Sequence, residues 1–412
     1  MPFAPSLMRK SCIAMLLACC LPAMAAAPLN KELFERAGEQ RAEFVKLLGT
    51  LVNIDSGTGS EKGLAQVSAI IVEEAKKRGM TVTLVPAAPA IGNNIVATLT
   101  GKGTAKILLM THMDTVFADG SAKARPFRID GDRAYGPGVV DDKGGMVLAL
   151  HAIKLLQQMK FDDFAQITLF VNSNEETFSK GSYQLIETLA KQHDVTLSLE
   201  GGRPADGMVV WRKGSGTLHI DVKGKASHAG NNPGAGRNAA MEAAHQMIQM
   251  ASLGDASKQT SVNFTVFHAG ERDNVIPDAA TVRGDMRATT SDEFDRVEKD
   301  MARLADKKLI AGTEVKTSVA RGMTPMPLNA RTEVLAARAQ AIYAELGKKL
   351  TLEGSGGAGD ANYSNAVGAA TLDGFGPVGG NFHAEDEYVE LNSIAPRLYL
   401  LVRMMMESSV KP

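Results

Sequence analysis

Several imidazole and carboxylate side chains stand at places where a folded chain would gather them. His112 and Asp114 follow the apolar run Ile107-Leu108-Leu109-Met110-Thr111. Glu175 and Glu176 follow Ile167–Asn172 (ITLFVN), and Glu200 follows Val195–Leu199 (VTLSL). Asp141 and Asp142 lie in the loop Gly136–Gly145 (GPGVVDDKGG), and His383 ends the glycine-rich stretch from Gly374. Each apolar run has the length and composition of a buried strand, and open α/β sheets bind ligands beyond the carboxyl ends of their strands. Two His and several carboxylates converging there would make a zinc site without sulfur. The carboxylates outnumber the needs of one ion. Two metals sharing an Asp, whose two oxygens can serve one ion each, are therefore also open. Taken singly, each residue has a blander reading: a hydrogen-bonded His-x-Asp turn, a solvated Glu pair, or a helix N-cap at Asp141-Asp142. Their joint placement argues for a site.

The missing sulfur has its own explanation. Cys12, Cys19 and Cys20 are the only cysteines, and all fall in residues 1–25, which read as a signal peptide. Arg9 and Lys10 form its basic start, Cys12–Leu21 its short apolar run, and Ala23-Met24-Ala25 its cleavage site. A buried N-terminal helix and lipoprotein processing at Cys19 are the alternatives. Export to the periplasm or medium would leave a chain without thiols, excluding disulfides and thiolate catalysis together. The run is too short to span a bilayer, which takes about 20 apolar residues, so no membrane attachment is expected after cleavage. Lys plus Arg (45) balance Asp plus Glu (46), and the basic excess of a nucleic-acid binder is missing. With 412 residues, 44% of them hydrophobic, the chain can fill two or three domains.

The elements that must position these residues follow from periodicity. Glu32–Leu51, Ala65–Arg78, the segment from Met146 and Thr332–Leu346 have helical spacing, and a last helix starts at Ile394. Strands are expected at Met80–Val85, Asn94–Thr100, Ile107–Thr111, Ile167–Asn172 and Val195–Leu199. The alternation predicts an α/β fold with a mostly parallel sheet flanked by helices. After Gly214 the texture changes to half-exposed strands (Thr217–Val222, Ser261–Phe267, Ala280–Arg287, Thr313–Ala320) and two helices (Asn238–Met250, Thr290–Leu304). The second of these should open with a capping box, Thr290 with Glu293. The order βαββαβ is that of a ferredoxin-like α+β unit. Residues 214–324 therefore read as an inserted lid or dimerisation domain, with 26–213 and 325–412 forming the catalytic domain.

The motifs come in a telling order: Leu109–Val116 (LMTHMDTV), Tyr135–Gly145 (YGPGVVDDKGG), Asn174-Glu175-Glu176, Glu200, Gly224–Gly230 (GKASHAG) and Phe382-His383. This series resembles the co-catalytic dizinc metallopeptidase family of glutamate carboxypeptidases and aminoacylases, over essentially the whole chain beyond residue 25. The resemblance implies two Zn2+ per subunit, with Asp141 bridging them. His112 and Glu200 would complete one ion's shell, and Glu176 and His383 the other's. It implies a cis Asp141-Asp142 peptide, Asp114 orienting the His112 imidazole, and Glu175 as general base and acid. His228 would reach the partner's active site in a homodimer to stabilise the oxyanion. Asn274 and Arg287 would hold the substrate's free carboxylate, and Gly356, Gly357 and Asp360 match a glycine-rich substrate loop. Arg321 is a further candidate anion contact.

The chain also departs from the pattern. Gly201-Gly202-Arg203-Pro204 follows Glu200 where many relatives place Pro at once, and Met208 and Val210 stand where polar contacts to a glutamate side chain would be expected. Arg203, Arg212 and Lys213 are candidate basic substitutes. The resulting expectation is an exported carboxypeptidase that releases a C-terminal amino acid, foremost glutamate, from N-acyl, peptidyl or folate-like small molecules. The alternatives are an aminoacylase or dipeptidase of other preference, and a non-catalytic periplasmic binding protein.

Overall fold

The computed structural model describes residues 28–408, so the expectations for residues 1–25 lie outside the described residues. A six-stranded sheet runs in the order Thr81–Pro86, Asn93–Thr100, Gln166–Asn172, Lys106–His112, Val195–Ser198, Thr371–Leu372. The last four strands are parallel to one another, and the first two add an antiparallel edge. Side chains alternate across a strand, and here both faces are covered. Ile107 and Leu109 join the core beneath the helices Lys143–Gln158 and Ile394–Ser408. Leu108 and Met110 pack on the other face with Ile186 and Leu189 of the helix Tyr183–Gln192. Double coverage explains the unbroken apolar run, each such side chain contributing about 2 kcal/mol by burial.

Register brings the site together. His112 stands opposite Asn172, and Met110 opposite Ser198. The carboxyl ends of three adjacent parallel strands are thus level, and the residues that follow them emerge side by side. The helix Lys143–Gln158 is almost wholly enclosed, with 13 of its 16 residues buried. Its first turn lies so close to the end of the Val195–Ser198 strand that a Cβ on Gly145 would stand 2.3 Å from the Leu199 carbonyl oxygen. Glycine there lets the Asp141-Asp142 loop reach Glu200.

A second sheet, antiparallel throughout, has the order Ser261–Ala269, Ala279–Ala288, Gly214–Lys223, Glu314–Arg321. The helices Ala239–Met250 and Ser291–Ala305 cover one face around a separate core that includes Leu218, Ile220, Val282, Phe294 and Met301. The chain order is βαββαβ, as expected. The capping box is not: Thr290 makes no side-chain cap bond. Glu293 is instead held by Arg296, Lys258 and Thr260, partners that outbid one backbone N–H.

Two small sheets are not visible in the periodicity. Thr351–Ser355 runs parallel to Gly207–Arg212. A four-stranded sheet joins Gly379–Gly380, Tyr388–Glu390, Arg133–Tyr135 and Arg128–Asp130. The His383 turn connects the first two of these strands, and the third feeds the Gly136 loop, so this sheet brings His383 toward Asp141. No helix among the described residues is long and apolar enough to cross a membrane.

Candidate metal centre

Asp141 lies at the middle of the cluster. Its Oδ1 is 3.0 Å from His112 Nε2, and its Oδ2 is 3.1 Å from His383 Nε2. Glu200 Oε1 approaches His112 Nε2 at 3.6 Å, and Glu176 Oε2 approaches His383 Nε2 at 3.3 Å. Three groups result, His112–Asp141–Glu200, Asp141–Glu176–His383 and His112–Glu175–Glu176, each offering one donor atom per residue within 4.8 Å; the first two share Asp141. The Asp141-Asp142 peptide is cis.

The positive charge the carboxylates demand comes from the two imidazoles and, beside Glu200, from Arg212. Burial alone would lower the pKa of His112, but hydrogen bonds with Asp114 and Asp141 carry it well above the ordinary value. Hydrogen bonds to Asp141 and Glu176 push His383 up to about 10. Burial resists ionisation of Asp141, yet His112 and His383 hold its carboxyl well below the usual range. Burial, then Asp141, pushes Glu200 up to about 7. A buried cluster this rich in carboxylate needs cations to be stable in its ionised form. Hard oxygen and imidazole donors without thiolate suit zinc or another first-row divalent ion. Glu176 Oε1 is buried with no hydrogen-bond partner in the protein, as a ligand oxygen turned to a cation would be.

Asp114 does more than the His-x-Asp spacing implies. The partner nearest His112 Nδ1 is the Asp114 carbonyl oxygen at 3.0 Å, with the carboxylate Oδ1 farther at 3.5 Å. That carboxylate accepts the N–H groups of Glu175 (3.0 Å) and Glu176 (3.2 Å) and the Thr58 hydroxyl (2.6 Å). It therefore ties the turn bearing Glu175 and Glu176 to the strand bearing His112.

Glu387 lies outside every motif, in the acidic run Glu385-Asp386-Glu387, and nothing in that run distinguishes it. It is 1% exposed. Its Oε1 accepts the N–H groups of Val140 (2.8 Å) and Asp141 (3.1 Å), and its Oε2 that of Gly138 (3.3 Å). Burial and the charge of Asp141 push its carboxyl up to about 8 against the pull of those donors. Glu387 thereby shapes the loop that presents Asp141, which Gly138 enters with φ +72°.

Behind Glu200 lies Arg212, 3% exposed. Its Nε donates to Asp373, its Nη1 donates to the Gly357 carbonyl oxygen (3.2 Å), and its Nη2 lies 3.6 Å from Glu200 Oε2. Gly357 is thus drawn to the centre through Arg212, and a Cβ on Gly359 would stand 3.5 Å from Glu175 Oε1. The Asp360 carboxylate turns inward to Asn172 and Ser179, bracing the segment after Glu176. Met208 and Val210 are core residues.

The remaining candidates sit on the second sheet and its connections. His228 and Asn274 are neighbours, because Ser227–His228 pairs with Val275–Ile276 and the Ala229 N–H donates to the Asn274 carbonyl oxygen. Arg287 pairs with Asp285 (3.0 Å), and Arg321 pairs with Asp295 (2.6 Å). Among the described residues, no hydrogen bond or ion pair joins these four to the carboxylate cluster.

The model of Peptidase family M20/M25/M40 matches residues 108–407. A carboxypeptidase G2 from Pseudomonas sp. (strain RS-16) is 36% identical over 379 residues, covering 91% of this chain and 91% of that protein. Among solved structures, a tripeptidase from Staphylococcus aureus superposes with a TM-score of 0.77 at 22% identity, covering 90% of this chain and 98% of that one. An M20 family metallo-carboxypeptidase from Sulfolobus solfataricus gives 0.73 at 16% identity, covering 90% and 100%. Both share the fold described above.

Proposed function

The chain belongs to peptidase family M20/M25/M40, a metal-dependent family of C–N hydrolases, and on that premise we propose that it is a dizinc carboxypeptidase releasing a C-terminal amino acid from N-acyl or peptidyl substrates, with glutamate as the favoured residue. In this reading it is exported and works as a homodimer. The observation that carries it is Asp141, with one oxygen 3.0 Å from His112 and the other 3.1 Å from His383. His112, Asp141 and Glu200 would hold one zinc ion, and Asp141, Glu176 and His383 the other. Two such ions supply Lewis acidity to water and to the scissile carbonyl.

The rest falls to side chains. Glu175 makes no side-chain hydrogen bond among the described residues, so its carboxylate is free to take a proton from the attacking water and return it to the leaving nitrogen. Burial pushes its pKa well above the ordinary value. His112 opposes this, while Glu200, Asp360 and Glu176 add to it, the direction a base working near neutrality requires. His228 Nδ1 accepts the N–H groups of Gly230 and Asn231, both at 3.1 Å. The Nε2 of a neutral ring must then carry the hydrogen, and such a donor suits the developing oxyanion in the partner's site. Asn274 beside it, with Arg287, would bind the free carboxylate.

The test is turnover of N-acetyl amino acids by zinc-loaded protein. N-acetyl-glutamate is cleaved fastest and its C-terminal amide hardly at all. Glu175→Gln lowers kcat by roughly 10²–10⁴ at unchanged metal content. Equal cleavage of acid and amide, or full activity after exhaustive chelation, would end this reading.

A further inference from the structure

Arg203 is a charged side chain beside the centre that none of the contacts described above engages. It follows Glu200 by three residues, through Gly201 and Gly202. The Gly202 N–H donates to the Pro377 carbonyl oxygen (2.9 Å), and the Gly379 N–H donates to that of Gly202 (3.0 Å). Arg203 and Gly207 exchange both backbone hydrogen bonds (3.0 and 2.9 Å), closing a tight turn in which Ala205 and Asp206 both have φ +58°. The backbone of Arg203 is therefore pinned. Its guanidinium lies over the Phe382 ring, 4.4 Å from the centroid, and Phe382 adjoins His383. The cation lies near enough to Glu200 and Asp141 of the donor groups for their charges to act on it.

Among the described residues no hydrogen bond or ion pair reaches the Arg203 guanidinium. The acids around it are engaged elsewhere. Asp206 takes the Tyr343 hydroxyl (2.6 Å) and Lys348 (3.4 Å), Asp373 takes Arg212 Nε, and Glu200 faces His112 and Arg212. Burial and the nearby positive charge of Arg212 make its charged form less favourable, lowering its pKa. An arginine remains ionised all the same. A guanidinium lying over an aromatic ring keeps its N–H edge free, and that edge fits a carboxylate bidentately. Arg203 is only half-buried, and His383 beside it is exposed, so a ligand at the centre can reach this edge.

We infer that Arg203 is a specificity-determining residue that binds a second carboxylate of the substrate, distinct from the free C-terminal one. The inference rests on the amidase reading above and adds that preferred substrates carry two carboxylates. The second is either the side chain of the released residue or a carboxylate on the acyl group.

Two substrate pairs separate these sources: N-acetyl-glutamate against N-acetyl-glutamine, and N-succinyl-leucine against N-acetyl-leucine. Arg203→Met keeps an unbranched stem against Phe382 and removes the fork. In one pair, KM for the member with the extra carboxylate should rise roughly ten- to a hundredfold, the loss expected for charged hydrogen bonds. Its kcat should stay within about twofold, and the neutral member should be unaffected. The pair that responds names the source, and Arg203→Lys should recover part of the loss. KM values that move together in both pairs, or not at all, overturn the inference. Should the wild-type protein cleave none of the four, the amidase reading fails, and calorimetric titration of zinc-loaded protein decides on Arg203. Glutamate or succinate binding at least tenfold tighter than glutamine, and lost in Arg203→Met, sustains its role. The same affinity in both proteins, or no binding, refutes it.

Discussion

Glu387 offers a perturbation whose size can be worked from the structure. Its carboxylate accepts three buried N–H groups, from Gly138, Val140 and Asp141. Above pH 8, where a carboxyl pushed up to about 8 is ionised, hydrogen bonds to the charged group each contribute about 1.5–3 kcal/mol, and a buried donor left unpaired costs about 1–3 kcal/mol. Glu387→Gln keeps one oxygen for the Val140 and Asp141 N–H groups but turns an amide NH2 toward Gly138. The expected loss is one bond, one stranded donor and the charge, about 3 kcal/mol together. Glu387→Ala removes all three bonds and should cost about 5 kcal/mol after water partly refills the space. Because these bonds set the backbone of Asp141, zinc affinity should also fall, by roughly 10–100-fold in Glu387→Gln. Urea unfolding of the chelated protein at about pH 9 reads the first effect, and competition with a chromophoric chelator at the same pH reads the second. A Glu387→Gln protein within about 0.5 kcal/mol of wild type, the range of an ordinary surface change, and with unchanged zinc affinity would refute the assignment.

Asp114→Asn should keep the fold while replacing the oxygen that accepts the Glu176 N–H and the Thr58 hydroxyl. Zinc affinity should drop roughly 10–100-fold with a parallel fall in kcat, and chelator competition that shows no change would contradict this. Acid sensitivity should come from His151, buried against Gln40, whose pKa burial, Arg78 and Lys154 push down to about 4. The unfolded chain, with an imidazole near 6.5, binds the proton first, so this contribution is complete above 6.5 and is lost as pH falls toward 4. The gap from 6.5 to about 4 corresponds to roughly 3 kcal/mol. Stability curves of His151→Gln should be flatter across that window, and an unchanged slope would dismiss the idea.

The chemistry-bearing side chains are legible because each one near the sheet follows an apolar run long enough to be a buried strand, and register then levels their ends. His112, Glu175, Glu176 and Glu200 are of this kind. Asp141 and His383 are legible only through their glycine-rich loops, since the small sheet that unites them is made of two- and three-residue strands without periodicity. Glu387 is invisible for another reason, and Arg212 is legible only as a basic candidate, not as a buried partner of Glu200. An acid in an acidic run and an arginine beside a lysine read as surface, and only long-range packing buries them. The pairing of Gly207–Arg212 with Thr351–Ser355 is likewise set by contacts far apart in the chain. The Thr290 and Glu293 spacing misleads because Arg296, Lys258 and Thr260 compete for the same carboxylate.

The account depends most on Asp141 serving two cations at once. A zinc-loaded crystal measured on both sides of the zinc absorption edge tests this directly. Two anomalous peaks are expected per chain, one enclosed by His112, Asp141 and Glu200 and the other by Asp141, Glu176 and His383. A single peak, or a pair in which either ion lacks Asp141 as a ligand, would contradict it.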